Sequence, residues 1–175
     1  MERLWAPWRA SYLVGQAGGG GGGGRPGGCV FCDKVARGPA HFAEELILGA
    51  TDEAFVIMNL YPYISGHIMV VPRAHVRSPA ELPPAEQDAF YRLVTASSGA
   101  LRAAVSPDGM NLGMNLGRVA GAGIEEHCHM HLVPRWSGDN NFMPVLAQTR
   151  VISQELEATY QTLLPHFAPL FVAAP

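Results

Sequence analysis

His127-Cys128-His129-Met130-His131-Leu132-Val133 carries an imidazole at every second position, and alternate side chains share a face only when the backbone is extended. The run therefore reads as a strand, predicted over Glu126–Val133, with three histidines on one face. Cys128, Met130 and Leu132 fall on the other and have the character of core residues. With only seven histidines in the chain, three in strict alternation are not what an ordinary polar surface strand contains. Upstream, Gly121-Ala122-Gly123-Ile124-Glu125-Glu126 reads as a flexible loop able to bring backbone N–H groups, those of Gly121, Gly123 and Ile124 among them, close to an anion. Downstream, Pro134 lacks a ladder donor and is expected to end the strand. Three imidazoles on one face allow two chemistries. They can hold a catalytic zinc with an open fourth position, or one can attack an electrophile while its neighbours orient it and bind anionic oxygens.

Around this segment, short apolar runs bounded by turn residues predict strands at Leu46–Gly49, Ala54–Met58, His67–Val71 and Met110–Leu116. Pro83 and Pro84 mark the start of a helix over Pro84–Val105, in which Phe90, Leu93, Val94, Ser97 and Leu101 make one core-facing stripe. A second helix is expected near Ser153–His166, with Ser153 as its cap. Strands with helices inserted between them point to an antiparallel α+β domain. Residues 1–14 form an aromatic arm whose Trp5 and Trp8 suit packing on the domain or on a partner. Gly18 to Gly24 is an unbroken glycine run, so residues 15–28 read as a flexible loop. No Lys-Ser or Lys-Thr follows it, which excludes a phosphate-cradling P-loop.

A chain of 175 residues with 48% hydrophobic content suits one globular domain with a real core. Net charge of −3 gives no broad electrostatic footprint for nucleic acid; Arg118 and Arg135 instead flank the histidine segment, as suits a small polyphosphate. Three cysteines are no disulfide framework and suit a reducing cytoplasm. The N-terminal residues have no long apolar core, so neither signal peptide nor membrane span is expected. His41 and His166 read as solvated. Cys29-Val30-Phe31-Cys32 is by itself ambiguous between redox chemistry, zinc and coincidence, although nothing nearby has a thioredoxin-like pattern.

His-x-His-x-His followed by apolar residues, after a glycine-rich loop, resembles the signature of the histidine triad (HIT) superfamily of nucleotide hydrolases and transferases. Phe55-Val56-Ile57-Met58-Asn59-Leu60-Tyr61-Pro62-Tyr63 and Ser65-Gly66-His67-Ile68-Met69-Val70-Val71-Pro72 are similar to that superfamily's other strand pair. Trp5-Ala6-Pro7-Trp8-Arg9, Asn111 to Gly117, and Pro134-Arg135-Trp136 through Asn141-Phe142-Met143 resemble its bacterial branch that cleaves diadenosine tetraphosphate by hydrolysis or phosphorolysis. The resemblance implies a five-stranded antiparallel sheet with flanking helices over residues 29–170, commonly paired as a homodimer.

It also implies roles. The middle histidine, His129, is the nucleophile toward the alpha-phosphorus. His131 contacts the phosphate and assists the leaving group, and His67 completes the cluster. Asn59 holds the ribose and Asn115 the phosphate or bridging oxygen. Some members carry a structural zinc on a cysteine pair plus two histidines, here Cys29, Cys32, His75 and His127. That set takes His127 for metal and so argues against a catalytic zinc on three histidines. No organic cofactor is implied. Transferases of the superfamily often replace the last histidine by glutamine, and His131 speaks against that group. Beside cleavage of dinucleoside polyphosphates stand two alternatives: a nucleoside phosphoramidate hydrolase or other nucleotidyl transferase, and a zinc-stabilised nucleotide-binding module without turnover. Whether water or phosphate is the final acceptor, and which base is preferred, is not written in these motifs.

Overall fold

Strand β2 (Ala54–Met58) is buried along its whole length because both faces of the sheet are covered. A computed structural model describes residues 28–139 and 155–171. The arm at 1–14, residues 15–27 of the glycine-rich loop, Asn141-Phe142-Met143 and Ser153 lie outside the described residues. The elements in chain order are α1 (Val30–Ala36), β1 (Ile47–Ala50), β2, β3 (Ile68–Pro72), α2 (Pro84–Val105), β4 (Gly109–Met114), β5 (Met130–Arg135) and α3 (Leu156–Phe167). They build a five-stranded sheet in the order β1-β2-β3-β5-β4, with every neighbouring pair antiparallel.

Helix α2 has the predicted bounds, and its stripe Phe90, Leu93, Val94, Ser97 and Leu101 is buried. It packs with α3 against one face of the sheet, where Val56, Ile68, Val70, Leu132, Leu163 and Phe167 form the main core. Helix α3 begins after Glu155, later than the expected Ser153 cap. The opposite face, carrying Ile47, Phe55, Ile57, Met69 and Val71, is covered by Phe31 of α1. That short helix was not expected. It runs through the cysteine pair and turns the histidine face into an interior: His127 is 0% and His129 5% exposed.

Two boundaries of the histidine strand differ from expectation. The ladder opens only at Met130, so His127 and His129 lie on its approach. There Cys128 donates its N–H to the Val76 carbonyl at 2.7 Å, which holds the backbone in place beyond the sheet proper. Pro134 does not end β5 but pairs with Met110 inside it. Pairing with β3 stops at Leu132, so one flank of the strand is open at Pro134, and a residue without an N–H is tolerated there. Pro134 also floors the turn before His67. Gly66 has φ +83°, and a Cβ there would come within 3.2 Å of the proline ring, so both backbone and space call for glycine.

Candidate functional site

The register puts Ile47, Ile57, Met69, His131 and Gly113 in one row across the sheet. His67, two residues before Met69, shares that face with the triad. Around this row the structure brings together nearly all the residues expected from sequence, in two adjoining groups.

The first group is Cys29, Cys32, His75 and His127, whose donor atoms all lie within 4.8 Å of one another. Three pairs show the fit: Cys29 Sγ to His127 Nδ1 at 3.2 Å, Cys32 Sγ to His75 Nδ1 at 3.5 Å and Cys32 Sγ to His127 Nδ1 at 3.5 Å. Sulfur and nitrogen on one tetrahedral zinc stand about 3.6 Å apart, given the usual zinc–ligand lengths. The second nitrogen of His127 is 2.8 Å from the Pro72 carbonyl. A carbonyl only accepts, so His127 carries its proton on Nε2 and turns a bare Nδ1 toward the cysteines, as a ligand oriented by its outer hydrogen bond does. Burial first, and then the neighbouring Cys29, push the Cys32 thiol up to about 11, an environment in which a nearby cation is needed for thiolate. Cys128 takes no part. Burial pushes its thiol up to about 11 as well, and it stays a neutral core residue.

The second group is His129, His131 and His67. His129 Nδ1 lies 2.9 Å from the His127 carbonyl, which assigns the proton to Nδ1 and leaves the Nε2 lone pair free. Burial holds the pKa of His129 below its ordinary 6.5, so the ring is neutral near pH 7. His67 accepts at Nδ1 from the Tyr63 N–H at 3.1 Å, which places its proton on Nε2. That atom is 2.9 Å from His131 Nδ1, so His131 accepts there and carries its own proton on Nε2 as a donor. Burial, and then the charge of His129, lower His131 to about 4. One strand approach thus displays a bare Nδ1 turned toward the cysteines, a bare Nε2 and a donating Nε2–H in succession.

Asn59 is folded into the β2–β3 loop: its Oδ1 accepts from Tyr61 N at 2.9 Å and its Nδ2 is 3.4 Å from His67 Nδ1. Asn115 Nδ2 reaches the Gly121 carbonyl at 3.4 Å. In the glycine loop, Gly121 donates its own N–H to Arg118 at 3.0 Å and sets the turn with φ +90°. Gly123 and Ile124 have no such backbone partner among the described residues, and Ile124 leans on the Phe31 cluster. Arg118 is exposed on the loop. Arg135 is held by Asp139 through Nε at 2.5 Å and Nη2 at 2.6 Å, and by Asn111 through Nη1 at 3.0 Å. His41 pairs with Glu44 and Arg37, and His166 is exposed; neither approaches the site.

Two participants were missed in the sequence. Phe31 packs on His127 and His129 at ring distances of 5.5 and 5.1 Å; its signal was an aromatic inside the cysteine pair. Tyr63 stacks on His67 at 4.6 Å, and its place in a tight turn before a functional histidine was the available clue. Beyond His131 opens a cleft of about 440 Å³ along β4 and β5.

The fold and the site define an α+β protein whose sheet carries a buried, proton-ordered histidine triad. Residues 42–138 match the HIT domain family, and the chain belongs to that family. It is 32% identical over 96% of its length, and 85% of the relative's, to the AP-4-A phosphorylase of Mycobacterium tuberculosis. An adenylylsulfatase of Arabidopsis thaliana is 34% identical over 63% of this chain and 54% of its own. Among solved structures, a hypothetical histidine triad nucleotide-binding protein of Sulfolobus tokodaii superposes with a TM-score of 0.65 at 25% identity, covering 81% of this chain and 93% of that one. A zinc-bound histidine triad family protein of Mycobacterium smegmatis shares the fold, with a TM-score of 0.63 at 24% identity over 81% and 94% of the two chains.

The lowered His131 pKa links the site to stability. Below pH 6.5 the unfolded chain takes up a proton that folded His131 refuses until about pH 4, so this residue's contribution is intact above 6.5 and lost as pH falls between those values. Thermal unfolding compared between the parent and His131→Gln should show the parent losing a few degrees more than the variant across that window. Equal losses would contradict the assignment.

Proposed function

We propose that this chain is a nucleotidyl-histidine enzyme that cleaves dinucleoside polyphosphates, diadenosine tetraphosphate foremost. The observation that carries the reading is the His129 Nδ1–H bond to the His127 carbonyl, which aims a neutral Nε2 lone pair away from the backbone. An imidazole of that kind attacks phosphorus without a strong base. As the Nε2–P bond forms, the bridging P–O bond breaks, and the departing polyphosphate leaves as an anion hydrogen-bonded by His131 Nε2–H. The N–H groups of Gly123 and Ile124, with Asn115, suit the charge that gathers on the phosphate oxygens. Asn59 suits the ribose, and its amide also steadies His67. Water or inorganic phosphate then attacks phosphorus from the side the polyphosphate vacated, opposite His129, the P–N bond breaks and neutral His129 returns. A proton from attacking water leaves to solvent.

The likeness to an AP-4-A phosphorylase across nearly the whole chain supports this substrate class, with phosphate as the favoured acceptor. The likeness to an adenylylsulfatase supports a second reading, in which the same histidine transfers an adenylyl group from a different leaving group such as a phosphoramidate. Cys29, Cys32, His75 and His127 would hold a structural zinc that fastens α1 to the catalytic strand; bound there, it supplies a cross-link and no step of the reaction. Thiolates in such a set suit a reducing cytoplasm, and no helix among the described residues is long and apolar enough to cross a membrane. Edge strand β4, with Leu112 48% and Leu116, just beyond it, 47% exposed, suits pairing with a second copy to make a homodimer.

Two displacements retain configuration at phosphorus, whereas one inverts it. A diadenosine tetraphosphate made chiral at the alpha-phosphorus should give product with retained configuration, and His129→Ala should lose at least about a thousandfold in turnover. ADP plus ATP would identify phosphate as acceptor, and AMP plus ATP water. Inversion, or a His129→Ala rate within about tenfold of the parent, would refute the covalent route. Tight AMP binding with no turnover of any nucleotide would leave a binding module.

Elemental analysis should find about one zinc per chain, and Cys29→Ser or Cys32→Ser should lower the unfolding temperature more than the rate per folded molecule. Protein prepared without chelator that contains no zinc would refute the metal site.

A further inference from the structure

The cleft beyond His131 is not where the nucleophile lies. His129 is 5% exposed and buried under Phe31, and it is absent from the cleft wall, whereas His131 forms part of it. In an in-line displacement the leaving group departs on the side opposite the nucleophile. The cleft runs that way: His131, Val133 and Arg135 alternate along β5, and His131 and Val133 face Gly113 and Asn111 of β4. Gly113 presents no side chain to His131, and a Cβ there would meet nothing within 4 Å.

Tyr63 stands at the mouth. Its ring stacks on His67 at 4.6 Å with a 36° tilt and lies 6.0 Å from His131. The residue is nevertheless 49% exposed and borders the cleft. The wall mixes apolar Ile64 and Met114 with the amides of Asn111 and Asn115, the composition of a site for a flat heterocycle with polar edges. Arg135, the guanidinium on the wall among the described residues, is already matched by Asp139, so the cleft is not built chiefly as an anion trap. Its 440 Å³ falls in the usual range for small-molecule sites.

We propose that this cleft is the subsite for the leaving nucleotide, with the Tyr63 ring as the platform on which its base stacks. The subsite rests on the reading of this chain as a dinucleoside polyphosphate enzyme and deepens it. Binding energy from the second nucleoside, remote from the reacting phosphorus, would hold the bridging oxygen at His131 Nε2–H and so distinguish dinucleoside substrates from nucleotides whose leaving group has no base.

The test compares kcat/KM for diadenosine tetraphosphate with that for adenosine 5′-tetraphosphate, which offers the same alpha-phosphorus and a leaving triphosphate without the second nucleoside. The zinc-loaded full chain, Tyr63→Ala and Tyr63→Phe are measured side by side. Whatever the ring contributes to holding His67 affects both substrates and cancels in the ratio, as does any loss of folded protein. The parent should prefer the dinucleoside, Tyr63→Ala should cut that preference by roughly tenfold, as loss of one base-stacking contact does, and Tyr63→Phe should keep it. An unchanged preference in Tyr63→Ala, or a parent without preference, overturns the subsite. A parent that cleaves neither substrate overturns the enzymatic reading itself and the subsite with it.

Discussion

Main-chain carbonyls that cannot donate decide which ring nitrogen His127 and His129 turn outward. His127 gives Nε2–H to Pro72 and His129 gives Nδ1–H to His127, so neighbours of identical chemistry and similar burial present opposite ring nitrogens outward. Free histidine exchanges between these tautomers; here the backbone selects one for each ring. The consequence is a difference along five residues: a bare nitrogen facing the cysteines, a bare nitrogen facing away from the backbone and a donating N–H.

The rest of the fold serves those carbonyls. Pro72 is the last residue of β3, and the chain just after it holds Cys128 through the Val76 carbonyl, so the approach to β5 is fixed against β3 before the ladder begins. Gly66 and Pro134 seat the turn that points His67 at His131. Helix α1 then closes over the imidazoles, with Phe31 between the two cysteines. Burial that lowers the histidine pKa values and the cysteine–histidine cluster that joins α1 to the histidine segment are therefore parts of one arrangement.

Much of this was readable in the residues because the signals were periodic. Alternation of two marked the histidine face, and a spacing of three and four marked the stripe of α2, whose bounds match. Boundaries set by tertiary contacts were harder. The ladder starts at Met130, opposite Val70 and Met114, where β4 ends although β3 runs on to Pro72, and Pro134 survives inside β5 because β3 no longer pairs there. Seven residues of α1 are too few for a convincing helical pattern, and they gain their stability from packing on the sheet. The grouping of Cys29 and Cys32 with His75 and His127, and of His67 with His129 and His131, could be expected only through resemblance, since spacing alone allowed both zinc and nucleophilic chemistry. No sequence signal reports which ring nitrogen a distant carbonyl will hold, nor that Tyr63 would stack on His67.

Ring tautomers are directly observable, which makes the central claim testable without substrate. Long-range proton–nitrogen correlation spectra of uniformly nitrogen-labelled, zinc-loaded protein at pH 7, assigned with single His→Gln variants, should show protonated Nδ1 for His129 and protonated Nε2 for His127 and His131. Protonated Nε2 at His129 would contradict the account.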